Sequence, residues 1–384
     1  MKRVIPVSTP ALVGNEKKYV LDCLDSTWIS SCGKYVDLFE KKFAEFCKTR
    51  YAISCCNGTV ALHLSLMALG VGPGDEIIVP TLTFVATANA VTYCGARPVF
   101  VDSDLETWNL DPSLLERLIT PRTKGIIAVH LYGHPADMDP ILEIARKYNL
   151  FLIEDAAEAH GAMYKGRKVG SLCDLSTFSF YGNKIITTGE GGMITTNRED
   201  LASKIYQLKS QGMDPKRRYF FTLIGYNYRL TNIAAAIGLA QLENIDWHLQ
   251  RRREIASQYT LFLKHVNSIT LQPEKKWARN VFWMNSILTN DNLTLSRDEI
   301  IAKLAAEGIE TRPFFHPMHT LPMYLDHSKS HTFPIADYLA KTGINLPSSS
   351  TLSEEDVSYI CDCVIKISEN NVKRHIYYSS SGQK

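Results

Sequence analysis

Lys184 lies in the segment FYGNKIITTGEGG, between a predicted strand and a glycine-rich turn. A lysine amine condenses with an aldehyde only in its unprotonated form, and partial burial favours that form because it disfavours the ammonium charge. Lys184 could therefore form a Schiff base with an aldehyde-bearing cofactor. A lone lysine is more often a solvated surface residue, so this hypothesis depends on residues elsewhere in the chain.

A carboxylate stands at the carboxyl end of the apolar strand FLIED, at Asp155. Open parallel sheets bind their ligands beyond the carboxyl ends of their strands. A carboxylate at that place could pair with the pyridine nitrogen of pyridoxal phosphate (PLP) and keep it protonated, so that the ring accepts electrons. The alternative is that Asp155 only caps the turn that follows the strand.

The segment CNGTVALHL places a small polar turn at the start of a predicted helix. There the amides of Gly58 and Thr59 would bind a phosphate at the positive end of the helix dipole, and Ser179 could add a hydroxyl. Asn57 could be a plain N-cap, which is compatible with phosphate binding. Phe84, in the loop after the strand EIIVP, could stack on a pyridine ring or pack in the core. Along the chain the order is a phosphate-binding turn, a stacking ring, a carboxylate and a lysine. Each feature is weak alone, and their joint order predicts a PLP site.

Alternating strands and helices must position these residues. Between about Gly58 and Asp200, short β-branched runs alternate with helical patterns, which is typical of a mostly parallel sheet covered on both faces. A long helix from about Asn232 to Lys264, with room for one break, would follow. The remainder mixes short strands such as VFWMNSILT with helices. We therefore predict a large domain over residues 1–250 and a smaller α+β domain over residues 251–384.

Composition and charge restrict the functional class. The chain has 384 residues, of which 45% are hydrophobic and 21% charged, as in an ordinary folded protein. Its 42 Lys+Arg and 40 Asp+Glu give a net charge of +2, without the basic excess that nucleic-acid binding requires. Its nine cysteines form no C-x-x-C pair, and no apolar stretch reaches the roughly 20 residues of a membrane span. We expect a soluble, cytoplasmic protein with neither nucleic acid nor membrane as partner.

The chain resembles the DegT/DnrJ/EryC1/StrS group of sugar aminotransferases. The segments that carry the resemblance include FYGNKIITTGEGG, CNGTVALHL, VPTLTFVATANAV, EDAAEAHGA and ETRPFFHPMHTLPMY. The resemblance runs over almost the whole chain. It implies the aspartate-aminotransferase fold (PLP fold type I), with a mostly parallel sheet of the seven-stranded type and a smaller C-terminal α+β domain. It also implies PLP as cofactor, pyridoxamine phosphate between two half-reactions, L-glutamate as amino donor and a nucleotide-linked keto sugar as acceptor.

The resemblance also implies a role for each matching residue. Lys184 would form the Schiff base and then shuttle the proton, while Asp155 would pair with the pyridine nitrogen. Glu158 stands where many relatives have glutamine, near the phenolic oxygen of the cofactor. Asn227, in GYNYRLTN, would reach the phosphate bound by a neighbouring subunit, so the active unit would be a homodimer with a shared site. The cofactor-binding set is then Asn57, Gly58, Thr59, Phe84, Asp155, Glu158, Ser179, Lys184 and Asn227.

Five residues are candidates for contact with substrate. Trp28 and Ser30 lie in a turn after the first helix, where packing is an equal alternative for the tryptophan. Arg312 could bind a diphosphate with its planar guanidinium, and His316 could hydrogen-bond the sugar. His160 could lie near the sugar or only brace the end of a strand. No metal is expected, because a proline interrupts the spacing after His316 and no third ligand is evident.

Within this family the likeness is greatest to members that act on GDP-4-keto-6-deoxymannose. It implies amination at C4 of that sugar, in lipopolysaccharide O-antigen biosynthesis. Lys184 stands where related sugar dehydratases carry histidine, which favours transamination over deoxygenation. The alternatives are the same chemistry on a UDP- or dTDP-linked keto sugar, at C4 or C3, and a PLP-binding regulator without turnover. A nicotinamide oxidoreductase is disfavoured because no G-x-G-x-x-G follows a strand.

Overall fold

The computed structural model describes residues 4–327 and 331–371. The polar tail YYSSSGQK, at the end of the predicted small domain, lies outside the described residues. The described α-helices are α1 (Glu16–Asp25), α2 (Lys34–Cys47), α3 (Gly58–Ala68), α4 (Ala86–Tyr93), α5 (Met138–Lys147), α6 (Glu199–Lys209), α7 (Asn232–Glu243), α8 (Ile245–Leu263), α9 (Arg297–Ala306), α10 (Pro334–Thr342) and α11 (Glu354–Glu369). The described strands are β1 (Tyr51–Cys55), β2 (Glu76–Pro80), β3 (Arg97–Val101), β4 (Thr123–Val129), β5 (Phe151–Asp155), β6 (Met163–Tyr164), β7 (Arg167–Lys168), β8 (Leu175–Ser179), β9 (Gly192–Thr196), β10 (Ile269–Leu271), β11 (Ala278–Arg279), β12 (Asn285–Thr289), β13 (Arg312–Pro313) and β14 (Gly343–Leu346).

The central sheet has seven strands in the order β1-β9-β8-β5-β4-β2-β3. The pairs β3–β2, β2–β4, β4–β5 and β5–β8 are parallel, whereas β9 runs antiparallel to both β8 and β1. The strands β2, β8 and β9 are buried along their whole length, as apolar strands covered on both faces should be. The predicted α/β fold with a mostly parallel sheet is confirmed.

A second sheet, in the order β10-β12-β14-β13, is antiparallel and belongs to a smaller core. That core contains residues of α8, α9, β14 and α11, and it also contains Ile5 from the N-terminal segment. Ile5 pairs with Ile309 in an isolated parallel bridge, and the amide of Ser348 donates to the carbonyl of Val7. The N-terminal segment therefore contacts both cores, since Ile5 belongs to the smaller core and Val7 to the large one.

The predicted long helix is two helices, α7 and α8, which meet at Asn244. The predicted domain boundary at residue 250 falls inside α8, which contributes to the smaller core through Ile255 and Tyr259. No helix within the described residues is long and apolar enough to cross a membrane.

Candidate active site

A cavity of ≈ 520 Å³ opens at the carboxyl ends of the parallel strands. It contains the last residues of β4, β5 and β8, which are Val129, Asp155 and Ser179. This is the place where a doubly covered parallel sheet binds its ligands. The other lining residues are Asn57, Gly58, Thr59, Leu62, Thr83, Phe84, Ala86, Tyr132, Ala157, Glu158, Tyr181, Asn183, Lys184, Glu190, Trp283, Met284, Arg312, Pro313, Phe315 and Asn345.

Lys184 is a buried lysine on the floor of this cavity, since its side chain is only 12% exposed. Its Nζ lies 3.7 Å from Oε1 of Glu158 and 3.9 Å from the ring centroid of Trp283. Burial lowers the pKa of the Lys184 amine, while the charges of Glu158 and Asp155 oppose that shift. The surface-lysine alternative is therefore wrong, and the amine has the environment that nucleophilic attack requires.

Asp155 is buried at the end of β5 with a partner on each oxygen. Its Oδ2 accepts a hydrogen bond of 2.8 Å from the hydroxyl of Thr87, and its Oδ1 accepts one of 3.2 Å from the amide of Ala157. Burial raises the pKa of Asp155, and the two hydrogen bonds counteract the rise. The turn-capping contact is present, but it does not exclude a ligand, because the carboxylate also lines the cavity.

Glu158 places a second carboxyl group beside the lysine. Its Oε2 accepts a hydrogen bond of 2.7 Å from the amide of Tyr132, which fixes the group in place. Burial raises the pKa of Glu158 to about 7, although the charge of Lys184 opposes the rise. Burial therefore disfavours the charged form of both partners.

The start of α3 has the geometry of an anion site. Asn57 caps the helix by accepting a hydrogen bond of 2.9 Å from the amide of Val60. Within the described residues the amides of Gly58 and Thr59 have no recorded acceptor, and both residues line the cavity. A Cβ on Gly58 would lie 2.8 Å from Cβ of Ser179, so only glycine leaves this cradle open. The N-cap reading and the phosphate reading are compatible here.

Phe84 is 53% exposed, so the core alternative is wrong. Its ring lies on the cavity wall with the ring of Phe315 at a centroid distance of 5.7 Å. Phe315 in turn stacks against Tyr132 at 5.4 Å, and Tyr132 stacks against Trp283 at 6.2 Å. One side of the cavity is thus a continuous aromatic wall, which suits a flat ring.

Of the five substrate candidates, the structure brings only Arg312 to the cavity. Its guanidinium is half exposed and lies 3.3 Å from Glu310. His316 is exposed and does not line the cavity. Trp28 and Ser30 are also exposed outside it.

His160 is fully buried against Phe178 and Phe180, with ring distances of 5.3 and 5.5 Å. Its ring does not reach the cavity, because the two phenylalanines enclose it. The structure therefore supports a packing role for His160 rather than direct contact with a sugar. Burial lowers the pKa of His160 to about 3, and the charges of Lys184 and Arg252 act in the same direction. The ring is therefore neutral.

Asn227 does not line the cavity of its own chain, and its side chain accepts hydrogen bonds from Arg229. It lies at the base of a segment over residues 211–229, which we call the arm. The arm exposes large apolar side chains, among them Tyr219 at 72% and Ile224 at 89%. Exposed apolar groups in one segment mark a contact surface.

No group of three metal-ligating side chains occurs in the described parts of the chain. His319, the second histidine near His316, instead lies 3.0 Å from Asp337.

Tyr132, Trp283 and Asn345 are among the cavity residues that were not predicted from sequence. Tyr132 lies in a turn with φ of 53°, and Trp283 lies in a segment that reads as an apolar strand. Periodicity assigns such residues to the core, so no sequence signal distinguishes them from packing residues. The aromatic cavity wall could be found only from the structure.

A parallel α/β sheet, a buried lysine and a carboxylate at the adjacent strand end define the class of fold-type-I PLP enzymes. The sequence profile of the "DegT/DnrJ/EryC1/StrS aminotransferase family" matches residues 10–365, and the chain belongs to that family. It is therefore a sugar aminotransferase, for which PLP is the expected cofactor.

Individual relatives are similar over nearly the full length. The chain is 56% identical to a GDP-perosamine synthase of Caulobacter vibrioides over 357 residues, which cover 93% of this chain and 96% of the relative. It is 53% identical to a GDP-perosamine synthase of Escherichia coli O157:H7 over 94% of this chain and 98% of the relative. Among solved structures, DesV of S. venezuelae in complex with a ketimine intermediate has a TM-score of 0.87 at 34% identity, covering 92% of this chain and 94% of DesV.

Proposed function

We propose that this protein transfers an amino group from L-glutamate to C4 of GDP-4-keto-6-deoxymannose and so forms GDP-perosamine. The observation that carries the aminotransferase chemistry is the buried amine of Lys184 between two carboxylates at the carboxyl end of the sheet. The support for the GDP sugar is the pair of relatives named GDP-perosamine synthase, at 56% and 53% identity. A role in lipopolysaccharide O-antigen biosynthesis, in the cytoplasm, follows as part of the same proposal.

The residues of the cavity fit PLP. The cofactor supplies an aldehyde that condenses with amines and a pyridine ring that accepts electrons. The free amides of Gly58 and Thr59, with the hydroxyl of Ser179, would hold its phosphate. Asp155 would keep the pyridine nitrogen protonated, and Phe84 would cover one face of the ring. Asn57 contributes by fixing the first turn of α3.

Glu158 would hydrogen-bond the phenolic oxygen of the cofactor. Because its pKa is raised to about 7, its carboxyl group can carry a proton near neutral pH and donate it to an oxygen acceptor. Lys184, once its amine is free, would carry the proton at the α-carbon of the amino donor. The two groups lie 3.7 Å apart, which is an ion-pair distance rather than a hydrogen bond.

The substrate end of the cavity is lined by Arg312, Asn345 and Phe315. Arg312 would bind the diphosphate through its two parallel N–H groups, as arginine does with phosphate oxygens. The half-exposed position of its guanidinium suits a ligand that extends out of the cavity.

The active unit would be a homodimer. The arm carries exposed apolar side chains, and Asn227 at its base cannot serve the cavity of its own chain. In a two-fold dimer each arm would cover the partner's cavity and bring Asn227 to the phosphate bound there. Both active sites would then need both chains.

One experiment separates the proposal from its alternatives. Glutamate converts the purified holoprotein to its aminated form, excess glutamate is removed, and single keto-sugar nucleotides are added while the visible absorption is followed. We expect recovery of the absorption, and a 4-amino sugar by mass spectrometry, with GDP-4-keto-6-deoxymannose. Recovery only with a UDP- or dTDP-linked sugar would overturn the GDP assignment. If glutamate never bleaches the absorption, the protein is a binder without turnover.

A further inference from the structure

Trp283 contacts the active-site lysine in two independent ways. The face of its indole ring lies 3.9 Å from Nζ of Lys184, measured to the ring centroid. Its indole N–H donates a hydrogen bond of 2.8 Å to the carbonyl oxygen of Asn183, the residue that directly precedes the lysine. One side chain therefore contacts both the backbone that carries Lys184 and the amine at its tip.

The Asn183 carbonyl is a shared attachment point. It also accepts a hydrogen bond of 3.3 Å from the hydroxyl of Ser8, in the N-terminal segment that packs with the smaller core. Two hydrogen-bond donors from outside the large sheet, Ser8 and Trp283, thus hold the loop between β8 and β9 at the residue before Lys184. A loop fastened at that point has fewer backbone conformations in which the amine can lie.

Trp283 is itself held rigidly. Its ring is 4% exposed, and its carbonyl accepts a hydrogen bond of 2.7 Å from the guanidinium of the buried Arg252. Gly133 approaches its backbone so closely that an added Cβ would lie 2.9 Å from the nitrogen of Trp283. Because neither the ring nor the backbone is free to move, the indole can define a position for the amine.

The charged groups around the amine explain why an aromatic face is useful here. Asp155 and Glu158 are the carboxylates that interact with Lys184, and His160 beneath it is neutral. Both carboxyl groups are buried, and burial raises the pKa of each. An aromatic face adds stabilisation for the ammonium form without adding another titrating group.

We propose that Trp283 is a positioning residue for Lys184, with the indole N–H fixing the Asn183 carbonyl and the ring face holding the amine towards the cavity. This inference deepens the proposed function and rests on it. Trp283 lies between β11 and β12, two residues before β12 begins, so it ties the placement of the lysine to the smaller sheet. Its two contacts are separable by substitution, which makes the assignment testable.

The test uses the full-length protein and two variants. Trp283→Phe keeps an aromatic face and removes the N–H, whereas Trp283→Leu removes both. Trp277→Phe is the matched control, because Trp277 packs against His134 and Tyr164 outside the cavity. The titration of the Lys184 amine is measured by trace acetylation of the cofactor-free protein from pH 6 to pH 11, with the label at Lys184 quantified by mass spectrometry. The values of kcat and KM are measured separately on the holoprotein.

We expect Trp283→Leu to lower the labelling midpoint of Lys184 by about 0.5–1 pH unit, as the loss of a desolvated cation–π contact predicts. Trp283→Phe should shift the midpoint less, while kcat falls about threefold to tenfold at unchanged KM because one hydrogen bond is lost. Trp277→Phe should match the wild type in both. If the leucine variant does not fold, the loss of kcat in a phenylalanine variant with wild-type melting temperature carries the test.

Wild-type midpoints together with kcat within twofold of wild type in the folded variants would overturn the inference. So would equal shifts in Trp277→Phe, since the effect would then be global. The labelling needs no sugar nucleotide, so its outcome is independent of the proposed substrate. Failure of the proposed function would instead appear as wild-type protein that forms no amino sugar.

Discussion

At the scale of single residues, the chemistry depends on what burial does to charge. Lys184 and Glu158 lie 3.7 Å apart in a cavity where desolvation lowers the pKa of the amine and raises that of the acid. Burial thereby disfavours the charged form of both groups, which would be oppositely charged in water. The neutral amine is the form of lysine that can take a proton from carbon.

The first prediction concerns Lys184→Ala. Loss of the amine should abolish the covalent link to PLP and lower turnover with glutamate by at least about 10³-fold, because both nucleophile and proton carrier are removed. The measurements are the visible spectrum of the holoprotein and the glutamate half-reaction. Lys147→Ala, an exposed lysine paired with Glu116, is the control and should behave as wild type. Wild-type rates in Lys184→Ala would refute the assignment.

The second prediction concerns the pH dependence of stability. The pKa of Glu158 is about 7 in the folded chain and near its ordinary value of 4.5 when unfolded, so the folded state binds more protons between these values. Its contribution to stability is therefore complete below pH 4.5 and is lost as pH rises through 7. The Glu158→Gln variant has no carboxyl group to titrate, so it should not lose stability in this way as the pH rises. Its amide oxygen can still accept the hydrogen bond from the Tyr132 amide.

Thermal unfolding of the cofactor-free proteins tests the direction of this pH dependence of stability. The stability of Glu158→Gln relative to wild type should improve by on the order of 2 kcal/mol between pH 5 and pH 8. Glu190→Gln, at an exposed carboxylate of the same cavity, is the control and should show little pH-dependent difference. No pH-dependent difference over this range would mean that Glu158 is ionised in the folded chain.

Sequence reasoning found the polar residues of the site and Phe84, but it missed the other aromatic residues of the cavity wall. Lys184 and Asp155 could be found because a lysine beside a glycine-rich turn and an aspartate at a strand end carry local signals. Trp283 could not, because VFWMNSILT reads as one apolar strand. In the structure Phe282 has φ of 48°, so β12 begins only at Asn285 and the tryptophan leaves the strand direction. A left-handed residue of this kind has no composition signal.

At the scale of elements, the start of α3 illustrates how a helix end becomes a binding group. Asn57 satisfies the third amide of the helix and leaves the first two for a ligand. The same residue types would also form a purely structural helix cap. Only the close approach of Ser179 to Gly58 distinguishes a phosphate site from such a cap.

The third prediction concerns Gly58→Ala. Alanine favours helix formation over glycine, so α3 itself should not be weakened. The added Cβ would nevertheless lie 2.8 Å from Cβ of Ser179, and the strain of about 1–3 kcal/mol should weaken PLP binding by about tenfold to a hundredfold. Gly72→Ala is the control, because nothing lies within 4 Å of an added Cβ there. Equal PLP affinities in an absorbance titration would contradict the phosphate assignment.

The elements themselves were the most predictable part of the fold. The runs EIIVP and FLIED are β2 and β5, and the helix predicted to begin in CNGTVALHL is α3. The position of the break between α7 and α8, at Asn244, was not predictable, because the helical pattern continues across it. Only tertiary packing decides where such a helix divides.

At the scale of the whole molecule, the arm is the surface on which we propose that a partner subunit packs. Its exposed apolar side chains and the position of Asn227 outside the cavity of its own chain support that proposal. Sequence periodicity could not reveal this, since the pattern shows that the residues are apolar but does not show what covers them.

The fourth prediction is complementation between two inactive variants. If Lys184 and Asn227 meet only across a dimer interface, mixed dimers of Lys184→Ala and Asn227→Ala contain one site with both native residues. Statistical reassociation should then restore about a quarter of wild-type activity, because half of the dimers are mixed and each has one competent site. Separately assayed variants give the background. No gain on mixing, with exchange verified by mass spectrometry, would place both residues in one chain.

The position of the N-terminal segment has a consequence for synthesis on the ribosome. Ile5 completes a core whose other members, including Ile309 and Leu346, are translated about three hundred residues later. At roughly 5–20 residues per second, the segment waits on the order of 15–60 s before its binding partners emerge. During that interval the large sheet can fold while Ile5 and its neighbours in the chain remain exposed to chaperones and proteases. An N-terminal fusion that delays their docking would thus reduce the yield of active enzyme without altering any catalytic residue.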